Sequence, residues 1–200
     1  MTREAILTAA AEIFTEKGFH AASMQDIADA VQLQKASLYH HVSSKQEILL
    51  AILDQTLDLL IDQLTEILSM ELPPQQKLRL GMISYLRILT EHHSLASVLL
   101  LEHRSLQPDL KARHIPRRNR FEDLWRSLIQ EGQSVGVFAC TDVGFTTRTL
   151  LGAMNWTITW YRPDGILSGE EIANRYADLF FGGLLVSNGV GHGFTGDTGI

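Results

Sequence analysis

One cysteine, Cys140, occurs among 200 residues. It excludes an internal disulfide, makes a reducing compartment the natural setting, and reads as a small packed residue, not a nucleophile. No uninterrupted apolar run approaches the roughly 20 residues needed to cross a bilayer. The opening MTREAILTAAAEIF mixes acids with apolar residues and lacks the apolar centre of a secretion signal. These absences predict a soluble, cytoplasmic protein. Catalytic signatures are missing too: no nucleophile beside a base, no glycine loop for a phosphate, no paired catalytic carboxylates. His92-His93, His103 and His114 are not spaced as a tight ligand set and have no cysteine near them in sequence. No enzyme activity, metal or cofactor is expected.

What is present is helical periodicity. Ile6, Ala10, Ile13 and Phe14 recur at helical spacing, and Gly18 stops that helix. Ser23-Met-Gln-Asp26 resembles a capping box and opens a short helix with Ile27 and Val31 inside. A break at Gln32–Gln34 precedes a third short helix over Lys35–His41, with Leu38 and Val42 inward. Ser44-Lys-Gln-Glu47, another capping box, starts a long helix over Lys45–Met70 that Pro73-Pro74 ends. Further helices are predicted over Gln75–His92, Ser94–His103, Asp109–Gln133, Asp142–Tyr161 and Gly169–Gly183, with Pro116 as a kink or start and Ser168–Glu171 as a third capping box. The fold class is therefore all-α. Residues 1–46 form a small three-helix head and residues 47–185 a larger helical body. The glycine-rich 186–200 reads as a flexible tail.

Charge is distributed unevenly. The chain has a formal net charge of −6, which argues against indiscriminate polyanion binding. Yet residues 32–46 hold Lys35 and Lys45 and no acid. A short helix, a tight break and a second short helix make a helix-turn-helix, whose second helix enters the DNA major groove. Such a helix needs small residues for close approach and donors for bases and phosphates. Lys35, Ala36, Ser37, Tyr39, His40 and His41 supply both.

Gly18-Phe19, Ser23-x-x-x-Ile27-Ala28, Lys35-Ala-Ser-Leu-Tyr-His-His-Val42 and Ser44-Lys45-x-Glu47-x-Leu49, in that order, resemble the DNA-binding domain of the TetR family of transcriptional regulators. The resemblance implies a dimeric, all-helical, one-component repressor of a palindromic operator, whose body binds a small effector. Carried over by position, Lys35, Ala36, Ser37 and His40 match base-facing positions, and Ser23, Tyr39, His41 and Lys45 match phosphate-contacting ones. One position departs: the family usually has glycine in the turn where this chain has Gln32. A positive φ there would cost on the order of 1 kcal/mol.

In the body, Lys111–Arg120 (KARHIPRRNR) holds five cations and no acid. It reads as a solvated helix face, or as a mouth for an anionic group such as phosphate through Arg117 and Arg118. Ile172, Tyr176, Leu179, Phe180 and Gly183 share a helix face that is either ordinary core or, as the resemblance implies, part of a four-helix dimer interface. The pattern from Gly152 to Phe180 is also similar to C-terminal domains of TetR-type regulators that respond to acyl-CoA thioesters. Arg148, Asn155 and Trp156 are then candidate lining residues of an effector cavity. A helical metal-dependent enzyme and a helical protein-binding adaptor are the alternatives; the adaptor leaves the cationic face at Lys35–His41 unexplained.

Overall fold

A computed structural model describes residues 2–140 and 142–184; the expected tail at 186–200 lies outside the described residues. Every regular element in it is helical, as the periodicity predicts. The elements are α1 (Arg3–Lys17), α2 (Met24–Ala30), α3 (Lys35–Leu38), α4 (Lys45–Ser69), α5 (Pro74–Glu91) and α6 (His93–Ser97). A π-helical turn (Val98–Glu102) and a 3₁₀ turn (His103–Ser105) follow, then α7 (Pro108–Ser134), α8 (Val143–Trp160) and α9 (Gly169–Leu184). No described helix is long and apolar enough to cross a membrane.

Local chemistry sets the ends. Thr2, Ser23, Ser44 and Asp142 each accept a backbone N–H of the first turn of α1, α2, α4 and α8. At α2 the box closes both ways: Ser23 Oγ accepts from Asp26 N–H, and the Asp26 carboxylate accepts from Ser23 N–H at 2.8 Å. Ser168 and Glu171 make the same reciprocal pair before α9. Gly18 ends α1 at φ 79°, a conformation that glycine alone adopts without strain.

The sequence-predicted elements differ from the observed ones at four places. The third helix closes after Leu38, and Tyr39–His41 continue as turns, with the His41 N–H bonded to Leu38 O at 3.0 Å. The Ser44 box is half made: Ser44 Oγ caps Glu47 N–H, but the Glu47 carboxylate turns to Arg113 at 3.4 Å. Pro73-Pro74 do not end α4, which closes at Ser69; they open α5, where proline's missing N–H costs nothing. The single helix expected over Ser94–His103 is three short pieces.

Packing places the head directly on the body. Ile6, Ala10 and Phe14 of α1, Ile27 of α2, Leu38 of α3 and Ile48 and Leu49 of α4 are all buried in one continuous core. Helix α4 begins inside the head, runs along α7 and touches α5. In the body, Trp125 is nearly fully buried against Gly81 of α5, where an added Cβ would lie 3.2 Å from the indole. Helices α5 and α9 pack along their length, with Arg79 bonded to Asn174 at 2.9 Å and to Asp178 at 2.6 Å.

Gln32 sits at φ 55°, the left-handed conformation that the missing glycine would favour. Its N–H still closes the turn on Asp29 O at 3.1 Å, so the turn keeps its shape at an energetic cost. Gln32→Gly is expected to stabilise the protein by roughly 0.5–1 kcal/mol and raise the melting midpoint by about 1–4 °C. Calorimetric melting checks this; an unchanged or lower midpoint refutes strain at this turn.

Candidate nucleic-acid interface and effector cavity

The head presents one open face. Leu38 and Val42 are buried, while Lys35, Ala36, His40 and His41 are exposed and Tyr39 is 48 % exposed. Ser37 is half-buried beside them. No side-chain hydrogen bond within the described residues holds Lys35 on α3 or Tyr39, His40 and His41 in the turn that follows it, which leaves their donors free on the exposed face. Ser23 is exposed at the start of α2, its hydroxyl shared between the Asp26 N–H and carboxylate. Asp26 is held well below the usual carboxylate range, first by its hydrogen bond from Lys17 at 2.7 Å and then by Ser23.

Lys45 is placed differently from its expected phosphate contact. Its Nζ donates to three backbone carbonyls: Phe19 at 2.7 Å, His20 at 3.2 Å and Ala22 at 2.6 Å. It also lies 4.6 Å from the centre of the Phe19 ring. An ammonium has three protons, and all three are occupied. Lys45 therefore ties the α1–α2 connection to the first residue of α4 and has no donor left for a phosphate.

The body holds a partly open cavity of about 410 Å³. Leu57 of α4, Tyr85 of α5 and Leu99, Leu100 and His103 of the π and 3₁₀ turns form one side. His114, Arg118, Phe121 and Glu122 of α7, with Arg148, Leu151, Gly152 and Asn155 of α8, form the other. The Tyr85 hydroxyl donates to Asn155 Oδ1, and burial pushes that phenol above its ordinary value. His103 is pushed below the ordinary histidine value, first by burial and then by the cationic Arg104 and Arg118.

Of the sequence-predicted lining residues, Arg118, Arg148 and Asn155 meet here. Arg117 does not: its guanidinium pairs with Asp54 at 2.7 Å and Asp58 at 2.7 Å on α4. Two of the five cations of the Lys111–Arg120 run are thus matched to acids of α4, since Arg113 also meets Glu47. Trp156 does not line the cavity either; it is 67 % exposed on the outer side of α8. Tyr85 and His114 were missed because their role depends on α4 and α8 packing against them, and nothing in their own sequence windows marks it. His114, within the run read as a solvated helix face or an anion mouth, is buried, with Nδ1 2.9 Å from Asp54 Oδ1. Among the described residues no group of His, Cys, Asp and Glu is placed to hold a metal.

The cavity wall is bonded to the head. Leu99, Leu100 and His103 line the cavity, and Glu102, between them, turns the other way. Its Oε1 accepts the Phe19 N–H at 3.1 Å. Ser105 Oγ donates to Glu102 Oε2 at 3.0 Å, and Gln46 Nε2 of α4 donates to Ser105 O at 2.9 Å. A π-helical turn is a frequent marker of functional distortion in a helix.

On α8 and α9 the proposed interface residues divide. Ile172 is buried in the protomer's own core, and the Tyr176 hydroxyl donates to Ala153 O at 3.0 Å. Leu179 (72 % exposed) and Gly183 face outward, and Phe180 is half-buried. Phe145 and Trp156 of α8 are exposed as well, with open space over Gly152 and Gly182.

A helix-turn-helix head with an exposed second helix, mounted on a helical body with a partly open cavity, is the architecture of a one-component DNA-binding regulator. Residues 6–52 match the family model for bacterial regulatory proteins of the tetR family, and residues 71–184 match that for a tetracyclin-repressor-like C-terminal domain. The chain belongs to the TetR family of transcriptional regulators. It is 31 % identical to the transcriptional repressor KstR2 of Mycolicibacterium smegmatis, over 95 % of this chain and 94 % of that one. The crystal structure of the TetR-family regulator PfmR from Thermus thermophilus is similar at 39 % identity and a TM-score of 0.83, covering 88 % of this chain and 96 % of that chain. The crystal structure of AibR in complex with isovaleryl coenzyme A and operator DNA is similar at 28 % identity and a TM-score of 0.80, covering 92 % and 97 %.

The two lysines of the head should separate in experiment. Lys45→Met removes the donor for three carbonyls and is expected to lower the melting midpoint. Lys35→Ala and Tyr39→Ala leave packing intact and should weaken DNA binding at an unchanged midpoint, with Lys35→Ala also relaxing base preference. A melting scan paired with a DNA-shift titration checks both; a thermally silent Lys45→Met would contradict the scaffold role.

Proposed function

We propose that the chain is a transcriptional repressor that binds an inverted-repeat operator as a homodimer in the cytoplasm and releases it on binding an acyl-CoA thioester. The observation that carries this reading is the cavity whose wall, through Glu102 and Gln46, is hydrogen-bonded to the DNA-reading head. Its volume lies in the range of small-molecule sites. Leu57, Leu99, Leu100, Phe121 and Leu151 offer an acyl group apolar walls, and Arg118 and Arg148 offer phosphate or carbonyl oxygens donors. The relative AibR, solved with an acyl-CoA and operator DNA, supports the same class of effector. Residues 1–46 act as the reading head, through Lys35, Ala36, Ser37, Tyr39, His40 and His41 with Ser23, and residues 47–185 as the effector and dimer body.

Acyl-CoA affinity should rise with chain length by up to ~0.8 kcal/mol per buried methylene until the cavity is filled. It should weaken with added salt, and more weakly so in Arg118→Ala. Release of DNA needs little: a tenfold loss of operator affinity corresponds to about 1.4 kcal/mol of coupling, and Glu102→Ala should reduce that coupling. Calorimetry with an acyl-CoA series and the matching free acids, followed by operator titration with and without ligand, is the test. Free acids binding as tightly as thioesters would replace the CoA assignment with a plain hydrophobic acid.

The dimer reading rests on the apolar stripe Phe145, Trp156 and Leu179, large side chains left exposed beside open glycines on α8 and α9. A palindromic site requires matching two-fold protein symmetry. Leu179→Asp would bury a charge in that contact. It is expected to shift sedimentation from dimer to monomer at micromolar concentration, with the melting of the protomer little changed. A monomeric wild type under the same conditions refutes it.

A further inference from the structure

We infer that His114 selects, within this cavity, an effector whose acyl portion carries a hydrogen-bond donor such as a hydroxyl; the inference rests on the effector reading above. The His114 ring lines the cavity and is 4 % exposed. Its Nδ1 lies 2.9 Å from Asp54 Oδ1. A carboxylate only accepts, so Nδ1 carries a proton, and in the neutral ring Nε2 is then the acceptor. That Nε2 is buried and has no hydrogen-bond partner. The ring is held in this orientation from α4: Asp54 Oδ2 is fixed by Arg117 Nη1 at 2.7 Å, and Arg117 Nε by Asp58 at 2.7 Å.

A buried acceptor without a partner is unfavourable, and a ligand that completes it gains what an apolar analogue cannot. The other polar groups of the cavity have different needs. Arg118 and Arg148 only donate, the Tyr85 hydroxyl is already directed to Asn155, and the Glu122 carboxylate already accepts from Arg126 at 2.6 Å. Oxygens of a thioester or phosphate satisfy the arginines. His114 requires the opposite, a donor, and a plain alkyl chain brings none. A hydroxylated acyl group complements both kinds of wall. Because the ring is bonded to α4, the helix that enters the head, the same contact lies on the path from ligand to DNA.

The test uses the full-length protein and calorimetric titration with hexanoyl-CoA, its 2-, 3- and 6-hydroxy derivatives, and each corresponding free acid. At least one hydroxy derivative is expected to bind about tenfold or more tightly than its plain counterpart. In His114→Phe, which keeps a ring without the lone pair, that ratio should fall to about one while plain hexanoyl binding persists. Asp54→Asn, which no longer enforces the tautomer, should reduce the ratio without altering the cavity's own side chains, and serves if the phenylalanine variant does not fold. A purely structural role for His114 would weaken hydroxylated and plain ligands alike and leave the ratio intact. Equal binding of both by the wild type, or a preference that survives the substitutions, overturns the His114 assignment alone. Failure of every thioester and every acid to bind overturns the effector reading and this one with it.

Discussion

The contact on which the rest depends is Lys45 on the carbonyls of Phe19, His20 and Ala22. A single ammonium closes the α1–α2 connection and joins it to the first residue of a 25-residue helix. The reading helix α3, only four residues long, has too few internal hydrogen bonds to hold its own orientation. It is positioned by Leu38 and Val42 in the head core, and that core is fixed to the body through α4. Any tilt of α4 must therefore carry the reading helix with it.

Along α4 the same logic continues. Glu47, Asp54 and Asp58 pair with Arg113 and Arg117, two of the five cations of the α7 run, so part of what looks like a surplus of positive charge is matched within the protomer. Of the run's other cations Arg118 lines the cavity, where Arg148 of α8 joins it beside apolar walls. Paired charges at a partly exposed seam add little stability individually, but they fix direction: they hold Asp54, which holds the His114 ring. The π-helical turn meets the head from the other side of the cavity, through Glu102. Two separate elements thus connect the cavity to the residues that would face DNA.

Much of this was legible in the sequence where the physics is local. The caps at Ser23 and Ser168, the stop at Gly18 and the inward Leu38 and Val42 depend on neighbours three or four residues away, and the observed helices follow them. The strain at Gln32 was legible for the same reason, since φ is a property of one residue in one turn. Where periodicity alone was the guide, detail was lost. The stretch after His92 reads as one helix because its apolar spacing is regular, yet it breaks into α6, a π turn and a 3₁₀ turn as Glu102 and Ser105 bond to the head instead of staying on a straight axis.

The sequence by itself determined the helical class, the head with its turn and the residue types on the reading face, because helix periods, caps and left-handed turns are set within a few bonds of the chain. Only the tertiary structure decided which polar groups are free. Lys45 and Arg117 look as available as Lys35 and Arg118 in sequence, but carbonyls 23 to 26 positions away and carboxylates about 60 away occupy the first two. Trp156, expected to line the cavity, faces outward for the same reason, and Ile172, whose face could serve either core or interface, lies in the protomer core. A donor or an apolar face is functional only if no nearer partner satisfies it, and those partners are brought together by packing between distant segments.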